Sequence, residues 1–168
     1  MNALGFLGYA LVLVIASISA LIALFALSNL RFLKHLRQDA ASLSGLKVSI
    51  LVPARNEADV IERCVRSLMA QDYQNLEILV LDDQSADVTA ELVAGLYRSD
   101  NRLRLLRGRP LPPNWIGKHW ACHQLSQEAT GELLLFTDAD TWMQPTTVSR
   151  AVATMEHSGV SLISLVPG

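Results

Sequence analysis

The stretch from Leu133 to Trp142 constrains the fold of this chain more than any other part of the sequence. Four large apolar residues, Leu133 to Phe136, predict a short strand buried on both faces, as in a parallel sheet covered by helices. The strand runs directly into Asp138 and Asp140. Because open α/β sheets bind ligands at the carboxyl ends of their strands, both carboxylates stand where a ligand is expected.

Asp138 and Asp140 repel each other and are costly to desolvate, so they require a cation or a shared proton. A divalent metal that carries a diphosphate satisfies both carboxylates, because hard oxygen ligands suit Mg²⁺ or Mn²⁺. The alternative is a solvated Asp-Ala-Asp turn that ends a strand. Both interpretations stay open on these residues alone.

Residues 1–30 contain no charged side chain. A helix over residues 3–30 would be about 42 Å long, which is enough to cross a bilayer core of about 30 Å. Arg31, Lys34 and Arg37 follow it. The positive-inside rule then predicts a single-pass helix in the cytoplasmic (inner) membrane with its amino terminus outside. We expect a basic juxtamembrane segment and linker over residues 31–45 and a cytoplasmic domain over residues 46–168.

Within residues 46–168, apolar runs of strand length alternate with helical patterns. This alternation predicts an α/β fold, Rossmann-like, with a mostly parallel sheet and flanking helices. Asn56 and Ser85 are expected to cap the first two helices. The predicted strands are Lys47–Val52, Leu76–Leu81, Arg102–Leu106 (near an edge), Leu133–Phe136 and Val160–Val166, and the predicted helices cover residues 60–69, 88–97, 118–129 and 145–159.

Composition excludes some classes of function. The formal net charge of −2 over 168 residues gives no reason to expect a nucleic-acid partner. Two cysteines are too few for a disulfide framework and fit a reducing compartment. The first βα turn has no glycine, which counts against the glycine-rich dinucleotide and phosphate-binding loops.

Polar residues follow the first two strands. Pro53, Arg55 and Glu57 follow the first strand, where they could hold a base or ribose; alternatively Glu57 and its neighbour Asn56 only cap the next helix. Asp82 and Asp83 end the second strand, and ionised carboxylates accept hydrogen bonds from nucleoside hydroxyls. With Asp138 and Asp140 they place four carboxylates on one edge of the sheet.

Three further features are weaker. His119 and His123 with Cys122 superficially suggest zinc, but a solvated helix face is favoured because a further ligand is missing. The arginines between residues 98 and 109 suit a solvated edge strand better than anionic lipid. Lys118 opens a helix, where an amine and free N–H groups could hold a phosphate.

Segments 48–57, 81–85 and 137–140 occur in the order and spacing of the family 2 inverting glycosyltransferases, which residues 46–168 resemble. The loop of residues 111–118 is similar to the membrane-associated branch that glycosylates carotenoids or accompanies hopanoid synthesis. The resemblance implies a GT-A fold, a nucleoside-diphosphate sugar donor (a UDP-sugar first), Mg²⁺ or Mn²⁺, and a lipid or isoprenoid acceptor.

The resemblance also implies roles for individual residues. Asp83 or Asp82 would hold the nucleoside, and Asp138 would touch the ribose or the metal. Asp140 would bind the metal, and Lys118 would lie near the diphosphate. The residues implied to line the nucleoside pocket are Pro53, Arg55 and Glu57.

Inversion requires a general base for the acceptor hydroxyl, and in this family it is a carboxylate well downstream of the D-x-D motif. Here the only acid after Asp140 is Glu156, which lies in no matching motif. We therefore expect the amino-terminal, donor-binding half of a transferase, incomplete at its carboxyl end. The alternative is a truncated nucleotide-sugar-binding module without transferase activity. An aspartyl phosphatase is disfavoured because Trp142 stands where its motif needs Thr or Val.

Overall fold

The computed structural model describes residues 12–25 and 45–165, which belong to two units, residues 1–40 and 41–168. In the first unit, residues 12–25 form helix α1, whose apolar side chains are exposed. No helix among the described residues is long and apolar enough to cross a membrane. The remainder of the predicted 3–30 span, the basic cluster and residues 31–44 lie outside the described residues.

The second unit alternates strands and helices, as the sequence predicts. In chain order its elements are β1 (Val48–Ala54), α2 (Ile61–Met69), β2 (Leu76–Asp82), α3 (Thr89–Tyr97), β3 (Leu103–Arg107), α4 (Gly117–Glu128), β4 (Leu133–Phe136) and α5 (Thr147–Ser158). This order confirms the α/β class.

The four strands form one parallel sheet in the order β3-β2-β1-β4. The chain adds β2 and β3 on one side of β1 and then crosses to place β4 on the other side. The topological switch point therefore lies between the carboxyl ends of β1 and β4. Pro53 is tolerated in the central strand β1, because pairing with β4 ends at Leu51 and Phe136.

The core lies on both faces of β1 and β2, which are almost fully buried. On one face, α2, α3 and α5 cover Ile50, Val52, Ile78 and Val80. The buried positions of α2, at residues 61, 64, 65 and 68, have the spacing of one helix face. On the other face, α4 contributes Ala121 and Leu125 to a smaller cluster.

The prediction that β4 is buried on both faces is wrong. Leu133 and Leu135 pack against the larger core, but Leu134 and Phe136 are 45% and 48% exposed. The reason is the position of α4. Its buried residues Ala121 and Leu125 pack with Leu51, Leu79 and Leu81 of the two central strands. Within the described residues, β4 is therefore an edge strand with one open face.

The predicted strand Val160–Val166 is also absent from the part of it that the structure describes. Helix α5 ends at Gly159, in the left-handed conformation (φ 62°) that favours glycine at this position. Residues 160–165 then form no strand, and Leu162 is 87% exposed. An apolar run becomes a strand only where it finds a hydrogen-bonding partner, and this one has none among the described residues. Val166 lies outside them.

At the amino edge of the sheet, where the strands begin, hydrogen bonds and an ion pair converge on the buried carboxylate of Glu77. Ser49 Oγ donates to Glu77 Oε1 at 2.6 Å, and the Thr130 N–H donates to it at 2.7 Å. Lys47 Nζ lies 3.6 Å from Oε2. Burial raises the pKa of Glu77, but the hydrogen bonds from Ser49 and Thr130 outweigh it and hold the pKa below its ordinary value. A Cβ at Gly131 would lie 2.7 Å from three atoms of β1 and its flank, so only glycine fits there.

Candidate functional site

The loops that follow β1 and β2 are tied to each other at the carboxyl edge. The Asn56 N–H donates to Ser85 Oγ at 3.0 Å, and the Ala86 N–H donates to Asn56 Oδ1 at 2.8 Å. Asn56 and Gln84 are left-handed, with φ of 56° and 60°. The prediction that Asn56 and Ser85 cap helices is therefore wrong. Val60 and Val88 precede α2 and α3 instead, and no described side chain caps either helix.

A second set of bonds fixes the same pair of loops. Asp87 accepts from the backbone N–H groups of Ala58 and Thr89, and the Glu57 N–H donates to Thr89 Oγ1 at 2.9 Å. The Thr89 hydroxyl, which also donates to Asp87, is the largest cause of a lowered pKa at that carboxyl. These bonds hold the turn from which the exposed Arg55 side chain projects.

The adjacent residues Asp82 and Asp83 lie in different surroundings. Asp82 is 2% exposed, and its carboxylate accepts from Arg107 Nη1 at 3.0 Å and from the Ser85 N–H at 3.3 Å. Asp83 is half-buried and faces the loop between β3 and α4. A Cβ at Gly108 would lie 3.1 Å from Asp83 Oδ1, and a Cβ at Gly117 would lie 3.8 Å from Oδ2. Asp82 is therefore committed to the fold, whereas Asp83 borders the site.

Lys118 and Asp138 meet directly. Lys118 Nζ donates to Asp138 Oδ1 at 2.7 Å, and both side chains are more than half exposed. This hydrogen bond is the largest cause of a raised pKa at Lys118, and the negative charge of Asp140 acts in the same direction. The pair joins the amino terminus of α4 to the segment after β4. Lys118 thus lies in the first turn of α4 and beside Asp138, and the family resemblance implies that a diphosphate would lie near it.

The Asp-Ala-Asp turn is anchored by its middle residue and its backbone. Ala139 is 3% exposed and belongs to the larger core, so Asp138 and Asp140 on either side of it are exposed. The buried Cys64 thiol of α2 donates to the Asp138 carbonyl at 3.7 Å. Burial, with the charge of Asp140, raises the pKa of Cys64 to about 12, so this thiol stays protonated at neutral pH.

The donor set of Asp138 and Asp140 fits Mg²⁺ or Mn²⁺. Both carboxylates supply hard oxygen atoms and both are exposed. Among the described residues, no group of three or more His, Cys, Asp or Glu could hold a metal by itself. Mg²⁺ is usually held by one or two carboxylates together with waters and substrate phosphates, so two acids suffice when a diphosphate supplies further ligands.

The weaker candidates from the sequence find other partners. His123 stacks on Trp120 with ring centroids 5.5 Å apart, and Trp115 lies 5.1 Å from both rings, so this face is an aromatic cluster. The arginines at 102, 104 and 107 pair with Asp100, with Glu77 and Glu128, and with Asp82. These ion pairs agree with the solvated edge strand that the sequence favours.

Sequence reasoning missed Gly108 at this edge, and it placed Arg107 only among the arginines of the edge strand. Arg107 neutralises the buried Asp82, and Gly108 leaves room for Asp83. The available signal was their position, since Arg107 ends the third strand and Gly108 follows it, so both stand on the same edge as the acids. Arg63 was also missed; its guanidinium lies 3.5 Å from the ring centroid of Trp142, two residues beyond Asp140.

The parallel sheet, its strand order, the flanking helices and the carboxylates at the switch point define a class of protein, a Rossmann-like α/β domain. This domain matches the GT-A-like fold that the resemblance implies. The chain belongs to glycosyl transferase family 2, since the sequence profile with that description matches residues 49–167. The resemblance inferred from the three sequence segments is thereby confirmed.

Two curated relatives illustrate the likeness. The GalNAc(5)-diNAcBac-PP-undecaprenol beta-1,3-glucosyltransferase of Campylobacter jejuni is 31% identical over 56% of this chain and 29% of its own length. The 4,4'-diaponeurosporenoate glycosyltransferase of Staphylococcus haemolyticus is 30% identical over 67% of this chain and 29% of its own. The chain spans only between 20% and 40% of the length of such relatives.

Two solved structures share the fold. TarS of S. aureus, residues 1–349 in complex with UDP, matches with a TM-score of 0.57 at 29% identity, over 67% of this chain and 32% of that one. The mannosyltransferase PcManGT of Pyrobaculum calidifontis, in complex with GDP-Man and Mn²⁺, matches with a TM-score of 0.60 at 28% identity. That match covers 82% of this chain and 42% of the other.

Proposed function

We propose that this chain is the donor-binding half of a membrane-anchored inverting glycosyltransferase. Its donor is a nucleoside-diphosphate sugar, its cofactor is Mg²⁺ or Mn²⁺, and its acceptor is a lipid-like or isoprenoid alcohol. One observation carries the proposal: Asp83, Lys118, Asp138 and Asp140 stand together at the carboxyl edge, beside the switch point. That edge is where sheets of this kind bind ligands.

The nucleoside is assigned to Asp83 and to the turn after β1. The sequence leaves Asp82 and Asp83 as alternatives, and burial favours Asp83, because the Asp82 carboxylate is enclosed and paired with Arg107. An ionised Asp83 can accept hydrogen bonds from a ring N–H or a ribose hydroxyl. Pro53, Arg55 and Glu57 would line the same pocket from the β1 turn, which the Asn56 and Asp87 bonds hold in place.

The diphosphate is assigned to Lys118 and to the metal held by Asp138 and Asp140. Lys118 supplies a flexible ammonium on a helix of twelve residues, whose first N–H groups also favour an anion. When bound with the donor, the ion offsets the negative charge that develops on the leaving nucleoside diphosphate. Asp138 and Asp140 would hold it there, and the resemblance also allows Asp138, which follows β4, to touch the ribose.

A lipid-like acceptor and a membrane anchor complete the proposal. They are supported by the absence of charge in residues 1–30 and by the basic cluster that follows. The relative from Campylobacter jejuni, named for an undecaprenol-linked substrate, gives further support. The proposal places the anchor in the cytoplasmic membrane and the donor site on its cytoplasmic side, where nucleotide sugars are expected.

Labelled donors test this assignment. The full chain, in mild detergent, is dialysed against labelled UDP-glucose, UDP-N-acetylglucosamine and GDP-mannose with Mn²⁺, with and without a membrane lipid extract. We expect retention of at least one donor, with a uridine donor favoured. Retention of none of them at concentrations up to about 1 mM, where donors of this class of enzyme bind, contradicts the proposal.

The second candidate is a binding module that holds the donor without transferring sugar. One observation favours it. Glu156, the only acidic side chain after Asp140, is exposed on α5 and lies outside the segments that match the family. Both candidates predict donor retention. Labelled lipid in the same dialysis would contradict the module, whereas unlabelled lipid is expected both of the module and of a donor-binding half alone.

A further inference from the structure

The ion pair between Lys118 and Asp138 occupies one oxygen of a carboxylate that the proposed function assigns to a metal. Lys118 Nζ lies 2.7 Å from Asp138 Oδ1, with 60% and 56% of the two side chains exposed. Mg²⁺ binds carboxylate oxygens at about 2.0–2.1 Å, so an ion on Asp138 would stand very close to the ammonium. Two cations at that separation repel each other, and one of them must move.

The Lys118 side chain is flexible, whereas Asp138 is held at its backbone. The Lys118 side chain is a flexible chain of four carbons that is more than half exposed, and it is bound to the acids only through its ammonium. Asp138 is fixed at its backbone, because its carbonyl accepts the Cys64 thiol and the Thr141 N–H, and because Ala139 beside it is buried. Metal binding should therefore displace the lysine and leave the acid in place.

A diphosphate that arrives with the metal offers Lys118 its next partner. Lys118 is the second residue of α4, and no described side chain caps that helix. The first N–H groups of α4 and the Lys118 side chain thus belong to the same first turn of the helix, and both favour an anion. A metal ion that binds alone displaces Lys118 from Asp138 and leaves the ammonium without a partner. A metal ion that binds together with a diphosphate brings the diphosphate as the new partner of Lys118.

We propose that Lys118 is an exchange cation, which neutralises Asp138 before the donor binds and transfers to the donor's diphosphate when the metal takes its place. This inference rests on the proposed function, which it deepens. It assigns a positioning role to Lys118 and makes metal and nucleotide bind cooperatively. Metal alone binds weakly, because it must first separate the Lys118–Asp138 pair, and the nucleotide restores that loss.

The test measures Mn²⁺ affinity by electron paramagnetic resonance of free Mn²⁺, without nucleotide, with UDP and with GDP. It uses the full chain, Lys118→Gln and the matched control Lys47→Gln. Lys47 also pairs with an acid, Glu77 at 3.6 Å, but on the opposite edge of the sheet. Thermal melting of each variant checks that it is folded.

We expect Lys118→Gln to bind Mn²⁺ alone about two- to fivefold more tightly, the range expected when an exposed ion pair no longer competes. Its gain in Mn²⁺ affinity on adding UDP should be about three- to tenfold smaller than that of the parent chain. Lys47→Gln should match the parent in both measurements.

Three other results would overturn the exchange, and one of them would also contradict the proposed function. Mn²⁺ affinity that is unchanged, weaker or undetectable in Lys118→Gln, when UDP still raises the Mn²⁺ affinity of the parent, overturns the exchange and leaves the proposed function standing. A parent chain whose Mn²⁺ affinity does not respond to UDP or GDP contradicts the proposed function itself, and the exchange fails with it. Tighter Mn²⁺ binding by Lys47→Gln would show a general charge effect and would also overturn the exchange.

Discussion

At the scale of single residues, burial gives different surroundings to side chains of the same chemical type. Asp82 and Asp83 are chemically identical neighbours, yet one is enclosed by Arg107 and the other borders the site. Asp138 and Asp140 are exposed because the alanine between them is the residue that enters the core. The role of a carboxylate at this edge thus depends on the neighbouring residue that fills the core.

The first prediction concerns Gly108. A Cβ at this position would lie 3.1 Å from Asp82 O, Asp83 Cα and Asp83 Oδ1, so Gly108→Ala should push the Asp83 carboxylate out of place. We expect UDP affinity to fall by about tenfold or more, as measured by equilibrium dialysis with Mn²⁺. The matched control is Gly95→Ala in α3, where a Cβ meets open space and should leave binding unchanged. Full affinity in Gly108→Ala would remove Asp83 from the nucleoside site.

Sequence patterns predicted which residues form the carboxyl edge, because the end of each strand can be read from apolar runs. They did not predict how the side chains on that edge pair. Asn56 and Ser85 illustrate this, since both residue types favour helix caps, yet here each bonds to the other's loop. A helix cap depends on residues within one segment of the chain. The bonds of Asn56 and Ser85 depend on two loops that the sheet brings side by side.

At the scale of elements, periodicity predicted the four paired strands and the helices between them to within about two residues. The predictions that were wrong are the burial of the edge strand β4 on both faces and the strand after α5. Leu133 to Phe136 is as apolar as a central strand, but β4 has one face open, and the apolar residues 160–165 form no strand. A run of apolar residues shows that a segment can be buried, whereas its neighbours in the sheet decide which faces are covered.

The second prediction tests the network that closes the amino edge. The pKa of Glu77 is lowered in the folded chain, so its ionised form stabilises the fold above the ordinary Glu pKa. That stability is lost as the pH falls through the lowered folded value. Glu77→Gln should reduce the free energy of unfolding by about 1–3 kcal/mol at pH 7. The deficit should shrink below about pH 4, where the carboxylate becomes protonated.

Urea denaturation of the folded domain at pH 7 and at several values below pH 4 measures this effect. Glu156→Gln, which changes an exposed acid on α5, is the control and should follow the parent at every pH. A deficit in Glu77→Gln that is the same size at all pH values would show that the ionised carboxylate is not what closes this edge.

At the scale of the whole molecule, an apolar segment without charged side chains precedes the domain that carries the proposed donor site. The third prediction concerns this arrangement. A reporter fused after Gly168 should behave as cytoplasmic, because Arg31, Lys34 and Arg37 follow residues 3–30. Replacing all three with Gln should give a mixed orientation. Periplasmic activity of the unmutated fusion would contradict both the orientation and a cytoplasmic donor site.

The fourth prediction is that these 168 residues alone transfer no sugar even when they bind donor and metal. Positioned proton transfer to a general base contributes about 10²–10⁴-fold, and Glu156, the only acidic side chain after Asp140, does not lie in the motif that supplies the base. Incubation with labelled nucleotide sugars and membrane lipids should label no lipid, and slow donor hydrolysis is the most that is expected. Metal-dependent labelling that Asp140→Asn abolishes would place the base within this chain.

The proposed function requires that the acids at the switch point bind a nucleoside diphosphate through a divalent metal. Titration calorimetry of UDP into the chain, with Mn²⁺ and then with a chelator, measures this binding. We predict at least about tenfold weaker binding with the chelator, and an equal loss in Asp140→Asn with Mn²⁺ present. Glu156→Gln should keep the affinity of the parent. Equal affinity for UDP with Mn²⁺ and with the chelator would contradict the account.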